Sequence, residues 1–300
     1  MKADNITILI TGSTGNIGSE ILKQLSNSTS DLKLRGAVHS GDASINNSKD
    51  KRRVQQVVMD FDRPQTIVEG LKNVDELFVL TPTHPKMVEF TSNLVNGAKK
   101  AEGKGVKHIV KLSHIRADVQ PEITITNLHR QAEKVIEESG IPYTFLRPNF
   151  FMQNFINYYS IMIKKQNTFS LSAGDGKVSF TDIRDIGSVA ASVLTEDNEE
   201  HMGKSYDITG PESLTYSETA DILSPEVGKK IRYIDISEDH VRQLTKDMGM
   251  SDWHTDVLVE LLRITRDGFL YEVSSAVEKV TERKSISFSR FAKDYAAVFR

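Results

Sequence analysis

The sequence contains no cysteine, which excludes disulfide bonds, thiolate metal sites and a cysteine nucleophile. No apolar run approaches the roughly 18 residues that a membrane span needs. The first apolar run stops after five residues, so we expect no signal peptide and a reducing, cytoplasmic setting. The net charge of −3 gives no bulk attraction to nucleic acid or to an anionic membrane. No two of the eight histidines stand at i, i+4, and we predict no metal site.

The chain begins instead with a buried-strand pattern that runs into a glycine turn. Residues 6–10 are apolar or β-branched, glycines follow at positions 12, 15 and 18, and residues 19–25 have helical spacing. Such a turn brings free backbone N–H groups and the positive end of a helix dipole to one place, and glycine lets a pyrophosphate approach closely. We therefore interpret the turn as a dinucleotide site rather than an ordinary strand–helix connection. The residues predicted to contact the cofactor here are Gly12, Ser13, Thr14, Gly15, Asn16, Ile17 and Gly18.

Strand and helix patterns alternate through residues 1–150, which predicts βαβ crossovers and a parallel sheet covered on both faces. The fold class is thus α/β, a Rossmann-type doubly wound sheet that forms an NAD(P)-binding domain. The predicted strands are 6–10, 32–38, 54–59, 76–80, 108–112 and 143–146, and the predicted helices are 64–71, 87–101 and 126–138.

The pattern changes after Pro148, and residues 151–300 are predicted to form a smaller C-terminal α/β substrate region. Residues 178–210 are expected to return to the main sheet. An aromatic-rich segment at 149–163 is predicted to be a helix. Further predictions are a glycine turn at 172–177, helices at 183–194 and from Ser217, strands at 204–209 and 230–236, a mainly helical segment at 237–280 and a last helix at 287–299.

Ligands of parallel sheets bind at the carboxyl ends of the strands, and the residues there favour NADP(H) over NAD(H). No acidic residue follows the second strand until Asp42, whereas Lys49, Lys51, Arg52 and Arg53 lie downstream. An acid would repel the 2′-phosphate of NADP. Asp60 either accepts a hydrogen bond from the adenine amino group or caps the helix that begins near Pro64. Further cofactor contacts are predicted for His39, Phe61, Thr81, Pro82 and Ser113.

Residues 101–141 contain no tyrosine, although a short-chain dehydrogenase usually places a catalytic tyrosine four residues before a lysine on this helix. His129 is therefore the candidate proton donor, or a group that hydrogen-bonds the nicotinamide ribose. The alternative is a half-buried helix histidine that contacts Glu133 at i+4.

Three segments resemble the NmrA-like group of atypical short-chain dehydrogenases: residues 11–18, 105–110 and 139–154. The resemblance extends through residues 182–186, 206–212 and 288–294, so it covers nearly the whole chain. The group includes NADPH-dependent quinone, azo-dye and triphenylmethane reductases. Aligned on residues 140–144, the catalytic lysine of isoflavone-reductase relatives falls on His129, and the family's arginine after the second strand falls on His39.

The resemblance implies a cleft between the Rossmann core and the C-terminal region. Pro148, Asn149 and Phe150 would lie against the nicotinamide. Phe151, Asn154 and Phe155 would face the substrate, with core packing as the alternative for the aromatic side chains.

The implied function is an NAD(P)H-dependent reductase that transfers hydride to a quinone-like or other conjugated acceptor. The second hypothesis is an NADP(H)-binding redox sensor that regulates a partner protein without turnover. A homodimer and a regulatory protein partner are both left open.

Overall fold

A parallel seven-stranded sheet forms the centre of the computed structural model, which describes residues 6–28, 32–40, 54–103, 105–119, 121–196 and 198–300. The strand order is β3-β2-β1-β4-β5-β6-β9, and every pair in it is parallel. The strands are β1 (Ile6–Ile10), β2 (Leu32–Val38), β3 (Val54–Val58), β4 (Glu76–Val79), β5 (His108–Leu112), β6 (Tyr143–Pro148), β7 (Thr168–Leu171), β8 (Lys177–Val178), β9 (Lys204–Ile208), β10 (Leu214–Thr215) and β11 (Arg232–Asp235). The predicted Rossmann-type fold is confirmed.

Helices cover both faces of this sheet, because crossovers between parallel strands need them. The α-helices are α1 (Asn16–Ser26), α2 (Pro64–Gly70), α3 (Met87–Lys100), α4 (Thr124–Glu137), α5 (Ser160–Gln166), α6 (Ile183–Thr195), α7 (Tyr216–Val227), α8 (Glu238–Asp247), α9 (Asp252–Arg266), α10 (Ala276–Thr281), α11 (Phe288–Asp294) and α12 (Ala296–Phe299). Two apolar clusters hold the layers together. One contains α1 and α6 side chains, and the other contains α2 and α3 side chains.

The C-terminal part has its own aromatic core and two small sheets. β7 pairs with β11 in parallel, and β8 pairs with β10 in antiparallel orientation. Residues 178–210 contribute α6 and β9, and β9 extends the main sheet beside β6. No helix among the described residues is both long and apolar enough to cross a membrane.

Two predicted helices differ from the structure. Within 149–163, regular helix starts only with a π-helical turn, Phe155–Tyr159, that continues into α5. The preceding residues form an isolated bridge between Phe151 and Thr181, which helical periodicity cannot reveal. The predicted last helix is two helices, α11 and α12, because Tyr295 interrupts the helical conformation between them.

Candidate functional site

The turn between β1 and α1 has the geometry that an anion site requires. Gly12 has a φ of +61°, a left-handed conformation that favours glycine, and its carbonyl accepts the Gly15 N–H at 3.1 Å. Ser13 is buried and donates its hydroxyl to the Ala37 carbonyl at 2.6 Å. Ser13 therefore anchors the turn to β2 through its side chain.

The N-terminus of α1 presents backbone donors that have no partner in the described part of the chain. None of the described side chains caps the helix, and no acidic residue lies in its first turn. The hydrogen bonds of the described residues give no acceptor to the amides of Asn16, Ile17 and Gly18. Thr14, Gly15 and Asn16 are exposed. These groups form a ready site for phosphate oxygens.

The two later glycines of the turn serve different purposes. A Cβ on Gly18 would lie 2.3 Å from the Gly12 carbonyl oxygen, so Gly18 allows the helix to pack against the turn. A Cβ on Gly15 would meet only the Gly12 oxygen at 3.4 Å. Gly15 thus leaves an open cradle in front of the free amides, and this cradle fits a pyrophosphate.

Beyond β2, two residues predicted to contact the cofactor, His39 and Asp60, come together with Arg63. Exposed His39 places Nε2 3.8 Å from Asp60 Oδ1, and Arg63 places Nε 3.3 Å from Asp60 Oδ2. Sequence reasoning missed Arg63, although it stands only three residues after the predicted Asp60. The predicted basic residues Lys49, Lys51, Arg52 and Arg53, together with Asp42, lie outside the described residues.

The alternative prediction for Asp60, that it caps the helix near Pro64, is wrong. Its Oδ1 accepts the Asp62 N–H at 3.0 Å and closes a turn before α2, whereas the N-cap of α2 is Arg63 without a side-chain cap. Phe61 is half-buried, with its ring 5.6 Å from that of Phe90.

At the end of β4, Thr81 carries an unsatisfied group. Its hydroxyl oxygen is buried without any hydrogen-bond partner among the described residues, and Pro82 beside it is exposed. Buried hydroxyls are normally hydrogen-bonded. This orphaned hydroxyl at the ligand-binding edge of the sheet also fits a bound cofactor.

Ser113, which follows β5, belongs to a buried ionic network. It donates its hydroxyl to Glu133 Oε1 at 2.6 Å. The same carboxylate accepts from Arg147 and from Arg130, and Arg147 also donates to Asp118 at 2.6 Å. The predicted Ser113 is therefore held by α4, with its oxygen lone pairs left to accept a further hydrogen bond.

His129 on α4 lies beside a lysine that sequence reasoning missed. Lys111 on β5 donates from Nζ to His129 Nδ1 at 3.0 Å, and the ring of His114 lies 6.0 Å from that of His129. The alternative contact between His129 and Glu133 does not form, since Glu133 is occupied by the network around Ser113. Burial, with Lys111 and His114 in addition, holds the pKa of His129 well below its usual range. His129 is thus a neutral imidazole at pH 7.

The three residues expected beside the nicotinamide are positioned by distant chain segments. Asn149 is buried and donates from Nδ2 to Ser179 Oγ and to the Leu270 carbonyl, both at 2.8 Å. Its Oδ1 accepts the Phe150 N–H. The Asn149 side chain therefore joins the end of β6 to Ser179 and Leu270. Pro148 is buried at the end of β6, and Phe150 is half-buried.

The three predicted substrate residues have unequal access. Phe151 and Asn154 are half-buried. Phe155 is 1% exposed and has edge contacts with Phe169, Phe180 and Phe288. Core packing, the alternative for the aromatic residues, describes Phe155.

The fold and the glycine turn together define a Rossmann-type nicotinamide-nucleotide protein. Residues 4–290 match the NmrA-like family, and the chain belongs to that family. It is 35% identical over 292 residues to an NAD(P)H azoreductase of Xenophilus azovorans, covering 97% of this chain and 99% of the relative. It is 26% identical to quinone oxidoreductase 2 of Escherichia coli, with 91% and 93% covered.

The fold also matches a solved structure of a related kind. The NADPH complex of an NADPH-dependent quinone oxidoreductase from Escherichia coli superposes with a TM-score of 0.84 and 24% identity, covering 96% of this chain and 99% of that chain. At this identity the match supports the common fold.

Proposed function

We propose that this protein is an NAD(P)H-dependent reductase that transfers hydride to a small conjugated acceptor of the azo or quinone type. The observation that carries the proposal is the end-to-end similarity to an NAD(P)H azoreductase at 35% identity. The free amides of α1, the open cradle at Gly15 and the orphaned Thr81 hydroxyl support it locally.

The glycine turn would hold the pyrophosphate, and Thr81, Ser113 and Pro148 would surround the nicotinamide half. The bound nicotinamide supplies hydride. The protein's part is to orient the acceptor and to provide a proton where the acceptor needs one. We assign that proton, or a hydrogen bond to the ribose, to His129. Phe151 and Asn154 are the proposed acceptor contacts.

NADP(H) is the proposed cofactor in preference to NAD(H). No carboxylate follows β2 directly, and His39 and Arg63 offer cationic or hydrogen-bonding groups to a 2′-phosphate. Asp60 lies between them and partly offsets their charge. Calorimetric titration with NADPH and NADH tests this preference: tighter binding of NADH would overturn it.

A steady-state assay tests the activity. Oxidation of NADPH is followed at fixed enzyme concentration with azo dyes, quinones and cationic triphenylmethane dyes as acceptors. Turnover of at least one acceptor is expected. Micromolar NADPH binding without turnover of any acceptor would contradict the reductase and leave the NADP(H)-sensing regulator, with a protein partner, as the function.

A further inference from the structure

Lys111 is a lysine without solvent exposure in the interior of the protein. Its Nζ donates to the Leu112 carbonyl at 2.8 Å and to His129 Nδ1 at 3.0 Å. A buried ammonium is costly unless it is paired, and no carboxylate forms an ion pair with this one among the described residues. The lysine side chain therefore needs an explanation other than stability.

The contact determines the hydrogen-bonding form of His129. While Lys111 is protonated its ammonium can only donate, so the Nδ1 that faces it is then the acceptor and the proton of the neutral ring is on Nε2. No hydrogen bond within the described part of the chain uses Nε2. His129 thus has a free N–H donor on the side opposite Lys111.

Lys111 also has the acidity of a proton donor near neutral pH. Burial lowers the pKa of Lys111 to about 7, and the charge of Arg147 acts in the same direction. The Glu133 carboxylate raises it. His114 is the other titratable group beside Lys111 and His129, and it donates from Nδ1 to the Ile115 carbonyl. Burial lowers the pKa of His114, so its ring adds no charge at pH 7.

We propose that Lys111 is a positioning residue that keeps His129 in the Nε2–H form and replaces the proton that His129 gives to the reduced acceptor. The inference rests on the proposed function. It stands on the geometry of β5 and α4: Lys111 lies two residues before Ser113 at the carboxyl edge of the sheet, and α4 brings His129 against it.

The proton and electron balance can be written for an azo acceptor. Hydride adds to one nitrogen and reduces the N=N bond, which leaves a negative charge on the other nitrogen. That nitrogen forms an N–H bond as the bond from His129 Nε2 to its proton breaks, while Nδ1 takes a proton from Lys111 Nζ. Lys111 is then a neutral amine without solvent exposure, so the starting state returns when His129 Nε2 takes a proton from water and Nδ1 gives its proton back to Lys111 Nζ.

The first test is the pH dependence of kcat with an azo dye. In the wild-type protein kcat is expected to fall as the pH rises through about 7, because the neutral amine has no proton to give. Lys111→Met should lower kcat about 100-fold at pH 6 and remove the inflection. Lys111→Arg should keep the hydrogen bond to Nδ1 and the Kd for NADPH, but it should also lose the inflection, since arginine does not release its proton.

The matched control is Lys107→Met. Lys107 immediately precedes β5, and its exposed side chain pairs with the buried Asp75 at the opposite edge of the sheet, so its loss should leave the pH profile unchanged. An unaltered pH profile in Lys111→Met, measured on a protein with normal thermal melting, would overturn the inference.

A cationic triphenylmethane dye gives the second test, because hydride alone converts it to a neutral product. Lys111→Met should reduce azo turnover much more than triphenylmethane turnover. Equal losses with both acceptors would contradict a proton role and leave a structural one.

A third test needs no turnover. Nitrogen NMR of histidine-labelled protein at pH 6.5 should show His129 protonated on Nε2 in the wild type and partly on Nδ1 in Lys111→Met, and a proton on Nδ1 in the wild type, or identical spectra, would overturn the inference. If the wild-type protein turned over no acceptor, the proposed function would fail, and these two spectra would still decide whether Lys111 sets the His129 tautomer.

Discussion

Arg147 donates two hydrogen bonds to the buried carboxylate of Glu133, from Nε to Oε1 at 2.9 Å and from Nη2 to Oε2 at 2.8 Å. Glu133 has no solvent exposure and Arg147 is 7% exposed. The pair connects β6 to α4, the helix that carries His129, and Glu133 also accepts the Ser113 hydroxyl. The position of the proposed proton donor therefore depends on a desolvated ion pair.

Replacing Glu133 by glutamine should destabilise the protein strongly. Among the described residues, the change leaves Arg147 with the half-exposed Asp118 as its one ion-pair partner, and removing one member of a buried ion pair costs about 3–5 kcal/mol. Urea unfolding measures this loss in the free energy of unfolding. The control is Glu137→Gln, which removes the more exposed carboxylate paired with Arg130 and should cost less than about 1 kcal/mol. Similar losses in the free energy of unfolding for both variants would contradict the proposal that the buried Glu133–Arg147 ion pair stabilises the protein strongly.

Substitutions at Gly15 and Gly18 should separate cofactor binding from stability. Gly15→Val should abolish NADPH binding and change the melting temperature little, because the new side chain enters the open cradle. Gly18→Ala should lower stability by about 1–3 kcal/mol, since its Cβ would lie 2.3 Å from the Gly12 carbonyl. Calorimetry and thermal melting on both proteins measure the two effects. If folded Gly15→Val bound NADPH with normal affinity, the pyrophosphate of NADPH would not bind at this turn.

The sequence predicts the main sheet well because its strands are short apolar runs between helices of regular period. The predicted β1, β2 and β5 match the observed bounds, and the other strands of the predicted domain differ by at most two residues at one end. The π-helical turn at Phe155–Tyr159 was not predicted, since a π turn changes the hydrogen-bond spacing without a distinct residue pattern. The strand β7 was missed because four residues carry too little periodicity to be recognised.

The site is predictable only where a local motif defines it. The turn at residues 12–18 has such a motif, and its free amides lie where that motif implies. The contacts of Asn149 with Ser179 and Leu270 join residues up to 121 positions apart, which no local pattern encodes. For Lys111 the sequence carries one signal, a lysine between two apolar residues of a buried strand, and its role depends on the approach of α4.

Arg63→Ala should weaken NADPH binding more than NADH binding. If the Arg63 guanidinium contacts the 2′-phosphate, its loss removes a charge-assisted hydrogen bond of about 1.5–3 kcal/mol, or roughly a tenfold or greater increase in Kd for NADPH alone. The Kd values from titrations of both cofactors measure it. Arg242→Ala is the control, because Arg242 forms a comparable ion pair with Asp256 in the C-terminal part. A parallel loss for NADPH and NADH would remove Arg63 from cofactor selection.

Asp185 should make the stability of the protein decrease with rising pH in the weakly acidic range. Burial raises the pKa of this carboxyl to about 6, although the Ile286 N–H that it accepts acts in the opposite direction. The folded state therefore holds the proton more tightly than the unfolded state, where the pKa is about 4. The resulting stabilisation is full below about pH 4 and is lost as the pH rises through about 6.

The variant Asp185→Asn cannot titrate, and it should abolish this dependence. Relative to it, the wild-type protein should lose on the order of 2 kcal/mol between pH 4 and pH 7, measured by urea unfolding at several pH values. Asp294→Asn supplies a control of opposite sign, because the Arg184 guanidinium holds the pKa of Asp294 below its usual range. The stabilisation by Asp294 should instead be lost as the pH falls. If the free energy of unfolding had the same pH dependence in both variants, Asp185 would keep its charge in the folded protein, and its contact with Ile286 would outweigh burial.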